Sequence, residues 1–246
     1  MFSASVISRS GTEGEMRQTK RSALLLGTLA TFAPLLVIGI IGERLGDDTV
    51  LGAVALNIAY VMSVLVATAV LKWFGVGWRD IGMARPSSWL KTTLLGVGAL
   101  VVFIIAGNVI GAAIQYLVAP DLAAADKSNY NPLVGNLPLL IIMVSAAWTT
   151  VAFGEEMLFR GFLTNMLAEV FPHSKARWAF ALVGSSLVFG LAHFSWGLAG
   201  IIETIIFGFI MGFVYLRSGR NLWVTIIAHG IANTVSFILI YSGVIL

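Results

Sequence analysis

The chain alternates between long apolar runs and short polar breaks. The runs fall at about 22–42, 50–71, 93–119, 137–154, 178–196, 198–216 and 222–242. Most are near the ~20 helical residues that cross a ~30 Å hydrocarbon core. They are long and continuous, unlike the alternating ten-residue segments of a membrane barrel. The pattern predicts an all-α, polytopic helical membrane protein with about seven transmembrane helices, or eight if one long run is broken. The fourth run continues as a mixed stretch through Glu155–Phe171. Residues 1–21 are polar and are expected to form a flexible cytosolic tail, with 22–246 a single transmembrane helical domain. The first run exceeds a signal-peptide core of ~7–15 residues and lacks a small-residue cleavage site, so it is expected to be retained.

Composition agrees. Of 246 residues, 58% are apolar and 11% charged, against roughly 25% charged in soluble domains, and the mean hydropathy is +0.93. Soluble globular and disordered classes are excluded. The absence of cysteine removes disulfide scaffolds, cysteine nucleophiles, iron–sulfur clusters and thiolate zinc sites. With the N-terminus cytosolic, 12 of the 15 basic residues fall on the cytosolic side. Arg44 and Lys127 fall opposite, and Arg160 lies on the fourth helix. This split is the positive-inside signature, so the basic excess reads as topology, with no nucleic-acid partner. The compact size points to a prokaryotic cytoplasmic (inner) membrane. Trp73, Trp78, Trp89, Trp178 and Trp223 flank the runs as an interfacial belt. Gly208-x-x-x-Gly212 and Gly107-x-x-x-Gly111 have helix-packing spacing.

Charge inside a bilayer is costly, at ~2.5–3.5 kcal/mol or more near the centre. The few polar residues within runs are therefore the informative ones: Glu155, Glu156 and Arg160 on the fourth helix, His193 ending the fifth, Glu203 in the sixth, and His229 and Asn233 in the seventh. Glu156 and Arg160 are spaced i,i+4 and can pair, as are Phe189 with His193 and His229 with Asn233. Glu155 lies ~100° round the helix from Glu156. One carboxylate would be held by arginine and the other left free as a general base. Structural readings stand beside these: an ion pair for Glu156–Arg160, a satisfied buried His193, interhelical glue for His229–Asn233, a hydrogen-bond partner or proton path for Glu203, and a solvated loop for His173.

Together, Glu155-Glu156-x-x-x-Arg160, Phe189-x-x-x-His193 and His229-x-x-x-Asn233 resemble the three motifs of the CPBP family, in the family's order and within residues 140–240. That family holds the type II CAAX prenyl endopeptidases and the bacteriocin-processing and abortive-infection membrane proteins. The resemblance implies an intramembrane endopeptidase acting through an activated water on a membrane-associated or lipidated, CAAX-like peptide, with membrane lipid as its surroundings. By motif position, Glu155 would be the general base, His193 would help hold the water, and His229 and Asn233 would stabilise the oxyanion. Glu156, Arg160 and Phe189 would support the site. Glu155, His193 and His229 could instead ligate zinc, leaving one position open for water. Metal-free and zinc-dependent hydrolysis both stay open.

Two other functions fit the same residues: a catalytically silent CPBP-like scaffold or immunity protein, and a small proton-coupled transporter with Glu203 in its relay. One geometric difficulty arises. Straight helices starting at Trp178 and Trp223 would leave His193 and His229 ~13 Å apart in depth. Some helix must tilt, break or begin in water.

Overall fold

The computed structural model describes residues 13–45, 50–117, 128–171 and 174–244. Among them the regular structure is helical, with no strand. Seven helices carry the fold: α1 (Glu13–Leu45), α2 (Val50–Trp73), α3 (Trp89–Leu117), α4 (Leu137–Val170), α5 (Arg177–Leu191), α6 (Gly197–Arg217) and α7 (Leu222–Tyr241). All but α5 are long and apolar enough to cross a membrane. The chain is a polytopic helical membrane protein. α1 takes in residues 13–21 of the expected tail. Residues 1–12, Lys127 and His173 lie outside the described residues.

α5 has only 15 residues, about 22 Å of helix, and stops short of the expected fifth span. The reason is local. His193 Nδ1 lies 2.8 Å from Phe189 O, the carbonyl that the His193 amide would use in a continuing helix. The amide turns instead to Gly190 O, at 3.0 Å. A ring nitrogen thus caps the helix end, and a short 3-10 turn, Phe194–Trp196, leads into α6.

α4 runs through the bundle. Its centre packs against α2 and α7, and its C-terminal end against α1 and α5. α1 pairs with α2, α5 with α6, and α3 with α6 and α7. Leu158, Phe159, Phe162, Leu163 and Met166 of α4 are buried with Phe189, Phe207 and Met211. The outer faces stay apolar, as Leu90, Leu94, Ile105 and Val109 of α3 show. Such exposed rows suit a lipid solvent rather than water.

Apolar helices in lipid gain little from hydrophobic burial against one another, so close approach at small residues decides their packing. A Cβ on Gly208 would sit 3.2 Å from Ser186 Cα, and one on Gly212 2.6 Å from Leu182 Cδ1, so this pair seats α6 on α5. Gly111 faces open space and Gly107 meets only Phe103 of its own helix, so the second pair makes no such contact among the described residues. Gly190 is tighter still. A Cβ there would lie 2.2 Å from Ile205 Cγ1 and 2.9 Å from the Ile201 carbonyl oxygen. Gly190→Ala should push α5 off α6 and cost about 1–3 kcal/mol, read as a lowered midpoint for thermal unfolding in detergent. Gly107→Ala should leave the midpoint unchanged.

Candidate active site

Two π-helical turns interrupt α4, at Ala147–Val151 and Glu156–Leu163, and flank the short α-helical stretch Ala152–Glu155. A π turn inserts a residue into the helical repeat and redirects the side chains beyond it. The carbonyls disturbed by the second turn are capped from within. Thr164 Oγ1 donates to Phe159 O at 2.8 Å, and Asn165 Nδ2 to Gly161 O at 2.6 Å. Asn165 also donates to Tyr215 Oη at 2.8 Å and accepts from Arg220 Nη1 at 2.9 Å. Tyr215 in turn donates to Ile81 O at 2.8 Å. The turn is thereby tied to α6 and to the loops before α3 and α7.

Four buried ionisable groups gather here: Glu155, Glu156 and Arg160 of this stretch, and His229. Arg160 Nη1 donates to Glu156 Oε1 at 2.8 Å, as the i,i+4 spacing anticipates. His229 arrives from α7, and its Nδ1 lies 2.8 Å from the same Oε1. Its Nε2 lies 3.8 Å from Glu155 Oε2. One imidazole thus bridges two carboxylates that point in different directions. A carboxylate held by arginine can only accept, so His229 donates from Nδ1 and turns Nε2 toward Glu155.

Phe189 supports this cluster from α5. The Arg160 guanidinium carbon sits 4.4 Å from its ring centroid, within cation–π range. Phe207 of α6 packs on His229 at 4.8 Å. The Phe189 ring neighbours both histidines, 4.8 Å from His193 and 6.4 Å from His229. α5 breaks after Leu191, one of the ways in which the depth difficulty could be met. His193 lies half-buried beside Trp196, at 4.9 Å. Its Nδ1 must donate to the Phe189 carbonyl, which leaves Nε2 as its outward nitrogen. Asn233 is half-buried one turn beyond His229. Glu203 is half-buried on α6, one turn before Phe207.

Glu155 is not free in the manner expected. Its Oε1 accepts a 2.5 Å hydrogen bond from Tyr60 of α2, while Oε2 has no hydrogen-bond partner among the described residues. Reading by charge passed over Tyr60. The available signal was a phenol 13 residues short of the end of α2, far from the interface where tyrosines usually sit. Tyr130, before α4, was missed as well. Burial pushes its phenol up to about 12, and the Glu155 charge adds to that. It packs on Trp196 and Phe237.

The zinc alternative can be tested against these positions. Among the described residues, no three His, Cys, Asp or Glu side chains gather closely enough to hold a metal ion. Glu155 and His229 approach each other, but His193 does not complete a ligand set with them. These residues do not fit the three-ligand site.

Comparison with known proteins agrees with the motifs. Residues 137–235 match the model of the Rce1-like type II CAAX prenyl endopeptidases. Over these residues the chain is similar to that family. The matched segment contains all the motif residues and neither Tyr60 nor Tyr130. The chain is also similar to CAAX prenyl protease 2 of Saccharomyces cerevisiae, 29% identical over 101 residues, covering 34% of this chain and 32% of that protein. The chain therefore spans about a third of the length of that curated relative. No solved structure matches it.

The buried ion pair predicts how its variants behave. Arg160→Ala takes from the buried Glu156 charge its permanent cation and leaves His229 as its remaining partner, and breaking a buried pair costs about 3–5 kcal/mol. Folded yield in detergent should fall sharply. Size-exclusion chromatography of Arg160→Ala beside Arg160→Lys checks this, with lysine recovering part of the yield.

Proposed function

We propose that the protein is an intramembrane endopeptidase that cleaves a membrane-associated or lipidated, CAAX-like peptide with a water activated by Glu155. The observation that carries this reading is the arrangement of the Glu155 carboxylate. One oxygen is anchored, and the other is uncommitted and faces an imidazole nitrogen 3.8 Å away. A water at Glu155 Oε2 gives up a proton as it attacks the scissile carbonyl carbon. The C–O bond forms and the carbonyl electrons move onto oxygen. The His229 imidazolium and the Asn233 amide, both from α7, meet that oxyanion. Glu155 then passes its proton to the leaving amine as the C–N bond breaks. His193 helps hold the water through its outward Nε2.

Charge supports the assignment of His229. Its Nδ1 is engaged by Glu156, so it donates to an oxyanion only when Nε2 is also protonated. With Glu155 and Glu156 ionised, Arg160 and a protonated His229 bring the cluster to neutrality, which a low-dielectric site favours. The reaction then only shifts negative charge from Glu155 to the substrate oxygen. We place the N-terminus and the basic loops on the cytosolic side of a prokaryotic inner membrane, on the strength of the basic-residue split and the chain's small size.

The test is cleavage of a fluorogenic farnesylated CAAX peptide by purified, chelator-washed protein in nanodiscs. Activity should persist without bound metal. Glu155→Ala, His193→Ala and His229→Ala should abolish turnover in folded protein, and Asn233→Ala should lower kcat about 100-fold or more. Metal-dependent turnover restored by zinc, or an active Glu155→Ala variant, would overturn the mechanism.

A further inference from the structure

We propose that Tyr60 is the positioning residue for the Glu155 general base: its phenol holds one carboxylate oxygen so that the other is presented to water and substrate. This rests on the proposed function above and adds a residue from outside the segment matched to known peptidases. The hydrogen bond, at 2.5 Å, is a charge-assisted one between buried groups. Its direction is set by chemistry. An ionised carboxylate only accepts, so the phenol donates, and the bond is made to the form of Glu155 that can take a proton.

The bond makes the two carboxylate oxygens inequivalent. Oε1 is occupied, and Oε2 is left toward His229 Nε2 with no hydrogen-bond partner among the described residues. Without Tyr60 the carboxylate could rotate about its last torsion, a soft and broad one, and exchange the two oxygens. Arg160, the cation of this stretch of α4, spends Nη1 on Glu156 and makes no hydrogen bond to Glu155.

A second observation is independent of the hydrogen bond. Gly154, immediately before Glu155, lies against the Tyr60 side chain: a Cβ there would stand 3.5 Å from Tyr60 Cδ1 and 3.6 Å from its Cβ. These are contact distances, so the Tyr60 side chain packs directly on the α4 backbone at the residue before the base. α2 also packs on both π turns that flank Ala152–Glu155. The stretch carrying the base is thus braced where its own helix is irregular.

The experiment compares wild type, Tyr60→Phe, Glu155→Asp and the double variant with the farnesylated peptide in nanodiscs, recording kcat, KM and thermal unfolding. Tyr60→Phe should lower kcat about 10- to 100-fold, the usual range for a hydrogen bond to a buried charge. KM should stay within about twofold, and the protein should remain folded at the assay temperature. In Glu155→Asp the shortened carboxylate withdraws from the phenol, so adding Tyr60→Phe should cause little further loss. The Tyr60 signal of protein labelled with 13C at tyrosine Cζ should shift in Glu155→Gln, whatever the substrate. A Tyr60→Phe kcat near wild type, a rise in KM alone, a fall in stability matching the loss of rate, or an unshifted Tyr60 signal would overturn the proposal. An inactive wild type with a shifted Tyr60 signal would instead overturn the proposed function, and the positioning role with it.

Discussion

Two carboxylates and a guanidinium buried together inside an apolar bundle impose the constraint on which the rest depends. Each charge would be costly alone, and burial is tolerated when opposite charges and donors meet. Arg160 Nη1 and His229 Nδ1 converge on a single oxygen, Glu156 Oε1, while Glu156 Oε2 and Arg160 Nη2 have no hydrogen-bond partner among the described residues. The rings of Phe189 and Phe207 cover the guanidinium. Holding that one oxygen and its guanidinium draws α5, α6 and α7 around α4. It also sets the His229 tautomer, because the nitrogen that serves Glu156 cannot serve the substrate.

Packing holds this arrangement in place. A Cβ on Gly230, next to His229, would stand 2.6 Å from the Trp148 ring, so the two helices meet at a glycine. One turn along α7, Trp148 Nε1 donates to Thr234 Oγ1 at 3.0 Å. The Asn165–Tyr215 network locks the far end of the π turn. Side chains carried on braced helices have little freedom left to lose, which is what the proposed oxyanion site requires.

Much of the fold was legible in the sequence because lipid demands long apolar helices. The seven runs recur as seven helices, and the i,i+4 spacing of Glu156 and Arg160 gave their pairing directly. What escaped was everything that needs two helices at once. The 100° offset of Glu155 from Glu156 suggested separate surroundings, yet one imidazole from α7 reaches both. The π turns have no periodic signature in so apolar a stretch. α5 ends early because a side chain competes for a backbone carbonyl, which residue spacing cannot foresee. Tyr60 was hidden by its neutrality, since its role appears only with Gly154 and Glu155 beside it.

The account stands or falls on His229 giving Nδ1–H to the arginine-held carboxylate. The chain has only three histidines, so 15N-histidine labelling, with His229→Gln to assign the signal, makes the ring directly observable by NMR. A protonated Nδ1 on His229, whether in the neutral ring or the imidazolium, is the predicted result. A neutral ring protonated at Nε2 alone would contradict it, because Glu156 would then no longer orient the imidazole toward the reaction.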